Sequence, residues 1–202
     1  MRSGDALFPE MTAETPESRR VAPRPTARLS RRGSYEHQAK PQQTQTVFRL
    51  DPATGQPVES QLRWGLIHHS EKAWPAIQPI NARAETLREK PLFADAYYRR
   101  RCIVPMSQFY LKDKSDKRRS IARVDRQLFG VAGIWENWRD PDTGGWLRTF
   151  ATITVAANAL IEPVHDRMPA ILENEEFRRW LAAQGDPFDL LRPYSGDDLI
   201  LL

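Results

Sequence analysis

Two turn signals constrain this chain more than any other feature of its sequence. Asp51-Pro-Ala-Thr-Gly55 and Asp140-Pro-Asp-Thr-Gly-Gly145 each set a proline, which fixes φ, close to a glycine, which tolerates positive φ. Each lies between two strand-like runs: residues 46–50 and 58–67 around the first, residues 128–135 and 147–155 around the second. The last run alternates apolar and Thr residues, as a half-buried strand does. Residues 101–105 read as a short buried strand. Residues 108–111 and 120–124 read as strands on either side of a polar hairpin loop at 112–119. Helical signals are fewer: residues 84–90, 91–98, and 173–183, the last with Phe177, Trp180 and Leu181 on one face. Strands joined by tight turns, with few helices between them, favour an antiparallel α+β domain over a parallel doubly wound one.

The chain of 202 residues is long enough to bury a core in one domain, and 40% of it is hydrophobic, which argues against wholesale disorder. No apolar run approaches the length of a membrane span, and no secretory signal pattern opens the sequence, so a cytoplasmic protein is expected. One Cys excludes an internal disulfide framework and a multi-cysteine zinc site. The net charge of +4 hints at nucleic acid, but its distribution qualifies the hint. Residues 1–45 hold 8 Lys+Arg against 5 Asp+Glu, and residues 46–202 hold 22 against 21. The first segment is rich in Arg, Pro, Ser, Thr and Gln, shows no periodicity, and reads as a poorly ordered basic arm. The nearly balanced segment 46–202 reads as the folded domain, which could bind DNA only through a local patch.

Four blocks mix apolar anchors with polar groups in ways ordinary core does not: Arg63-Trp-Gly-Leu-Ile67, Ile80-Asn-Ala-Arg-Ala-Glu85, Arg100-Arg-Cys-Ile-Val-Pro105 leading into Phe109-Tyr110, and Val164-His-Asp-Arg-Met-Pro169. With Lys90-Pro91, Ala132-Gly-Ile-Trp-Glu136, Thr154 and Ala157-Asn158, and in this order, they resemble the SOS response-associated peptidase (SRAP) family of abasic-site processing proteins. The likeness runs from about Val47 to the C-terminus. It implies a mostly antiparallel, barrel-like β fold with a few short helices. It also implies binding of single-stranded DNA at abasic sites in the DNA damage (SOS) response, association with the nucleoid, a monomer, and no cofactor. In the family, an N-terminal Cys condenses its amine and thiol with the abasic aldehyde, giving a thiazolidine crosslink, with an Asn, a Glu and a His around it. The resemblance carries catalytic roles to Asn81 and His165, and DNA contacts to Arg63, Trp64, Asn81, Arg83, Thr154 and Arg167.

The sequence departs from the family pattern at two of these positions. Residue 2 is Arg where the family has its Cys, and Leu111 stands where the family's Glu follows Phe-Tyr. A shifted start could account for the first departure but not the second. Cys102, in its apolar block, reads as a core residue rather than a nucleophile. Crosslinking and autopeptidase chemistry are therefore expected to be impaired. The alternative is a non-catalytic DNA-binding or interaction module with a vestigial site. Trp74 is a further stacking candidate, Arg83 and Glu85 could instead pair internally, and Arg99-Arg100-Arg101 is either a phosphate-facing patch or a solvated helix end. His68 and His69 would point apart on a strand, so no metal site is expected.

Overall fold

The computed structural model describes residues 40–182 and 184–202, so most of the expected basic arm lies outside the described residues. The strands are β1 (Thr44–Leu50), β2 (Pro57–Trp64), β3 (Asn81–Arg83), β4 (Arg101–Met106), β5 (Gln108–Lys112), β6 (Arg118–Arg123), β7 (Phe129–Arg139), β8 (Trp146–Ala156), β9 (Arg167–Pro169), β10 (Ile171–Leu172) and β11 (Leu199–Leu201). The helices are α1 (Pro91–Arg99) and α2 (Phe177–Leu181). Pairing runs β7–β4–β1–β2–β8, and β8 pairs back with β7, closing a five-stranded barrel. A smaller sheet, β11–β6–β5, stands beside it. The α+β class and the barrel agree with the sequence reading.

Both turn signals form hairpins. Gly55 N donates to Asp51 O and Gly144 N to Asp140 O, each at 2.8 Å, and both glycines sit at positive φ. The ladder is nevertheless mixed rather than wholly antiparallel. Trp64 of β2 pairs in parallel with Phe150 of β8, and Asn81 of β3 pairs in parallel with Thr152. One edge of β8 is taken by β7, and the other receives first β2 and then β3. The connector at 65–80 leaves that edge and returns to it two residues further along β8. This connector places Trp64 and Asn81, far apart in sequence, side by side.

The helical expectations are shortened at two places. Residues 84–90 form only a 3-10 turn at Ala84–Thr86, because Pro91 holds Lys90 extended (φ −75°, ψ 120°). The same proline then opens α1 at its first position, where no N–H is needed. The third helix is a 3-10 turn at Asn174–Glu176 followed by α2 alone. Its end is taken up by Arg101, which is buried and donates from Nε to Trp180 O at 2.6 Å, from Nη1 to Tyr97 O at 2.8 Å, and from Nη2 to Ala182 O. Phe177, Trp180 and Leu181 are all buried, as their shared face requires. Phe177 lies against Gly130 of β7, where an added Cβ would meet the ring at 2.6 Å, so only glycine permits this approach. Arg100 joins Asp95 to Glu136, and Arg99 pairs with Asp95 at 3.0 Å. Arg100 and Arg101 are thus committed inside the fold, while Arg99 stays mostly exposed at the end of α1 and pairs with Asp95. No helix among the described residues is long and apolar enough to cross a membrane.

Candidate nucleic-acid cleft

Where β2, β3, β5, β8 and β9 approach one another, a cleft of about 520 Å³ opens. Trp64 forms one wall. Its ring lies parallel to Phe150, with centroids 6.1 Å apart and 8° between planes, and its Nε1 donates to Ile80 O at 2.8 Å. Those contacts fix the indole while leaving part of its face to the cleft. Beside it, Thr152 Oγ1 donates to Asn81 Oδ1 at 2.5 Å. That bond orients the amide and leaves Nδ2 to serve as a donor.

His165 reaches the cleft from the loop between β8 and β9. Asn158 shapes that loop by donating from Nδ2 to Tyr194 O at 2.9 Å, and His165 N donates to Ile161 O at 2.9 Å. His165 Nδ1 is anchored by Arg167 N at 2.9 Å and lies 3.2 Å from both Arg167 O and Asp166 Oδ1, which fixes the ring's orientation. A histidine with one nitrogen anchored and the other turned to a ligand is suited to proton transfer.

Thr154 and Arg167 also line the cleft. The Arg167 guanidinium is already gripped: Nη1 and Nη2 meet the two Glu85 oxygens at 2.6 and 2.9 Å, and Nη2 donates to Thr154 O at 2.6 Å. Glu85 therefore pairs with Arg167 and not with Arg83, whose side chain has no ion-pair partner among the described residues. Arg167 hydrogen bonds hold the Glu85 carboxyl below its usual range. A carboxyl whose folded-state pKa is depressed stabilises the fold above its unfolded value, about 4.3, and loses that contribution as pH falls through the folded value. Glu85→Gln should cost up to about 1 kcal/mol at pH 7, the range for a half-exposed pair. Urea melts should show the gap to wild type closing by pH 3. A gap independent of pH would separate Glu85 from this linkage.

Of the residues expected to touch DNA, Trp64, Asn81, Thr154 and Arg167 line the cleft, and Arg63 and Arg83 do not. Arg63 faces a second, shallower groove of about 320 Å³ with Trp146 and Arg148. It donates to Gln78 Oε1 and lies 5.0 Å from the centre of the Trp74 ring. Trp74 packs edge-on against Trp138 and is not part of the cleft wall.

Sequence reasoning missed the cations of the cleft. Lys40, Lys112 and Arg118 line it with Arg167, and no Asp or Glu does among the described residues. Arg118 stacks on Tyr110 at 4.1 Å, and Gln108 Nε2 donates to the Tyr110 hydroxyl at 2.6 Å. Lys112 meets Asp116 at 2.8 Å, whereas Lys40 and Arg118 have no ion-pair partner among the described residues. Lys112 and Arg118 stand directly opposite in the β5–β6 register. Like charges facing across a ladder are destabilising. The run 112–119 reads as solvated loop, and this cross-strand pair, invisible without the register, is the signal that it is more.

Leu111 also lines the cleft. Cys102 is fully buried between β1 and β7, outside the cleft, and burial pushes its thiol well above the ordinary range. No thiolate is available there for nucleophilic chemistry. His68 and His69 do not lie on a strand. They follow the end of β2 in the connector, with their rings 4.2 Å apart, so the alternation that set them on opposite faces does not apply.

Comparison with known proteins agrees with this architecture. Residues 10–201 match the SOS response associated peptidase (SRAP) family. The chain is 41% identical over 149 residues to the abasic site processing protein YoqW of Bacillus subtilis, covering 68% of this chain and 65% of that protein. It is 29% identical over 160 residues to the abasic site processing protein HMCES of Xenopus tropicalis, covering 66% of this chain and 48% of that one. The chain thus spans under two thirds of the length of these relatives. A crystal structure of a Bacteroides thetaiotaomicron protein superposes with a TM-score of 0.71 at 28% identity, over 79% of this chain and 73% of that one.

Proposed function

The chain belongs to the SOS response associated peptidase family, and on that footing we propose that its cleft holds single-stranded DNA at an abasic site, without the covalent capture that a thiol and a carboxylate would provide. The observation that carries this reading is the lining itself: four cations, no carboxylate among the described residues, and the aromatic faces of Trp64 and Tyr110. Lys40 and Arg118, which have no ion-pair partner among the described residues, are placed to hold phosphates, whereas Lys112 and Arg167 already meet Asp116 and Glu85. Aromatic faces stack on bases that are already unpaired, contributing roughly 1–3 kcal/mol per base. A duplex presents no such bases. Asn81 Nδ2 and His165 Nε2 supply polar contacts for the sugar oxygens exposed where a base is missing.

The reading of impaired chemistry rests on Leu111 and Cys102. An aliphatic group cannot shuttle a proton, and the one thiol of the chain is sealed in the core. The description of the family as SOS response associated supports placing such binding in the DNA damage (SOS) response.

Fluorescence anisotropy with abasic single-stranded, intact single-stranded and duplex oligonucleotides tests the binding. The abasic strand should bind tightest and the duplex weakest. The logarithm of affinity should fall linearly with that of salt, with a slope of about −1.5 to −3 for two to four phosphate contacts on a single strand. Equal affinity for duplex and single strand, or no binding at low salt, would refute the reading.

A further inference from the structure

We propose that His68, His69 and Glu136 form a site for a transition-metal dication of the zinc class, which clips the connector at 65–80 to the barrel wall. Each of the three offers one ligand atom, and these atoms all lie within 4.8 Å of one another. They come from two separate parts of the fold. The histidines follow β2, and Glu136 lies on β7, opposite Thr149 of β8.

The carboxylate is held ready. Glu136 is 1% exposed, and Arg100 Nη2 donates to its Oε1 at 2.7 Å. That contact fixes the plane of the group and leaves Oε2, which faces His69 Nδ1 at 3.5 Å. Arg100 also pairs with Asp95, so its charge is shared between two carboxylates and does not by itself cancel Glu136. Ser70 Oγ lies 2.7 Å and Ser70 N 3.3 Å from His68 Nδ1, contacts that orient the ring.

Donor type selects the ion. Two imidazoles and one carboxylate are a zinc-type set, whereas calcium and magnesium prefer all-oxygen shells. Bond lengths near 2.0–2.2 Å put tetrahedral ligand atoms roughly 3.4 Å apart, so the three must draw together by about 1 Å. His68 and His69, side chains of a surface loop, can make that movement while Glu136 stays fixed. With three protein ligands, water completes the shell.

The consequence is mechanical. The connector is tied to the barrel by a few bonds, among them Ile67 N to Thr149 Oγ1 at 2.9 Å and Trp138 Nε1 to Glu71 O at 2.9 Å. It carries Trp74 and Gln78, which hold Arg63. A metal bridging its start to β7 would order the segment between β2 and β3. The three ligands line neither the cleft nor the second groove, so the site stands apart from the proposed DNA contacts.

Calorimetric titration of the chelator-treated full chain with zinc chloride tests this, with thermal melts at each ratio. The expected result is saturable binding of one equivalent and a melting temperature that rises with free zinc, since a ligand of the folded state stabilises it. The double variant His68→Ala/His69→Ala alters only the surface loop and keeps His37 and His165. It should bind zinc more than roughly tenfold more weakly and lose the thermal gain. No saturable equivalent, or a double variant that binds as tightly as wild type, would overturn the proposal. The second result would assign the binding to the other histidines.

Discussion

Arg118→Glu should weaken binding of abasic single-stranded DNA by roughly 10- to 100-fold at low salt, and it should not lower stability. Arg118 stacks on Tyr110 in the cleft and has no ion-pair partner among the described residues. Replacing it removes one charge-assisted contact to a phosphate, worth about 1.5–3 kcal/mol, and sets a repulsive charge in its place. Its cross-strand neighbour is Lys112, so the same change turns a like-charge pair into an attractive one. Binding and stability therefore move in opposite directions. The salt slope should flatten by about 1. Anisotropy titrations at several salt concentrations, with a melt on the same samples, decide the matter. Unchanged affinity would remove Arg118 from the DNA surface, and a parallel loss of stability would mean that its role is structural.

Trp180→Ala should cost roughly 3–5 kcal/mol, the range for deleting a large aromatic side chain from a packed core. Trp180 is fully buried, donates from Nε1 to Cys102 O at 2.8 Å, and lies beside Tyr97 and the Arg101 guanidinium. Truncation leaves a cavity between α2 and β4, deprives a buried carbonyl of its donor, and loosens the contact over which Arg101 caps α2. Against a typical total of about 5–15 kcal/mol, such a loss leaves the domain marginal. Chemical denaturation followed by tryptophan fluorescence measures it. A cost below about 1 kcal/mol would show that α2 packs loosely and that Arg101 can hold it without the indole.

Much of the barrel is legible in the sequence because its signals are local. The alternation of residues in β8 and the two Pro–Gly turns need only neighbours a few positions apart to be read. The parallel pairing of β2 and β3 with β8 is not legible, because it joins Trp64 to Phe150 and Asn81 to Thr152 through contacts with no local trace. The helix expected at 84–90 fails for a local reason: Pro91 stops it, and the apolar spacing alone does not register that.

The cleft divides along the same line. Trp64, Asn81, Thr154, His165 and Arg167 stand in motif blocks and meet at its wall. Lys112 and Arg118 belong to a polar run whose meaning depends on strand register. Arg63, though in a motif block, faces away from the cleft because it alternates with Trp64 along β2, while Arg83 shares the face of Asn81 on β3 but lies beyond the cleft lining. The same alternation does not reach His68 and His69, because β2 ends at Trp64, four residues before the first of them.

On the reading proposed above, the cleft holds an abasic strand without bonding to it. The direct measurement is a denaturing gel of the protein incubated with single-stranded DNA carrying one abasic site, heated and run without a reductant, beside a native gel of the same mixture. The account predicts a shifted complex on the native gel and no heat-stable adduct on the denaturing one, because the chain's one thiol is buried and Leu111 supplies no proton transfer. A heat-stable protein–DNA adduct formed without reductant would contradict it.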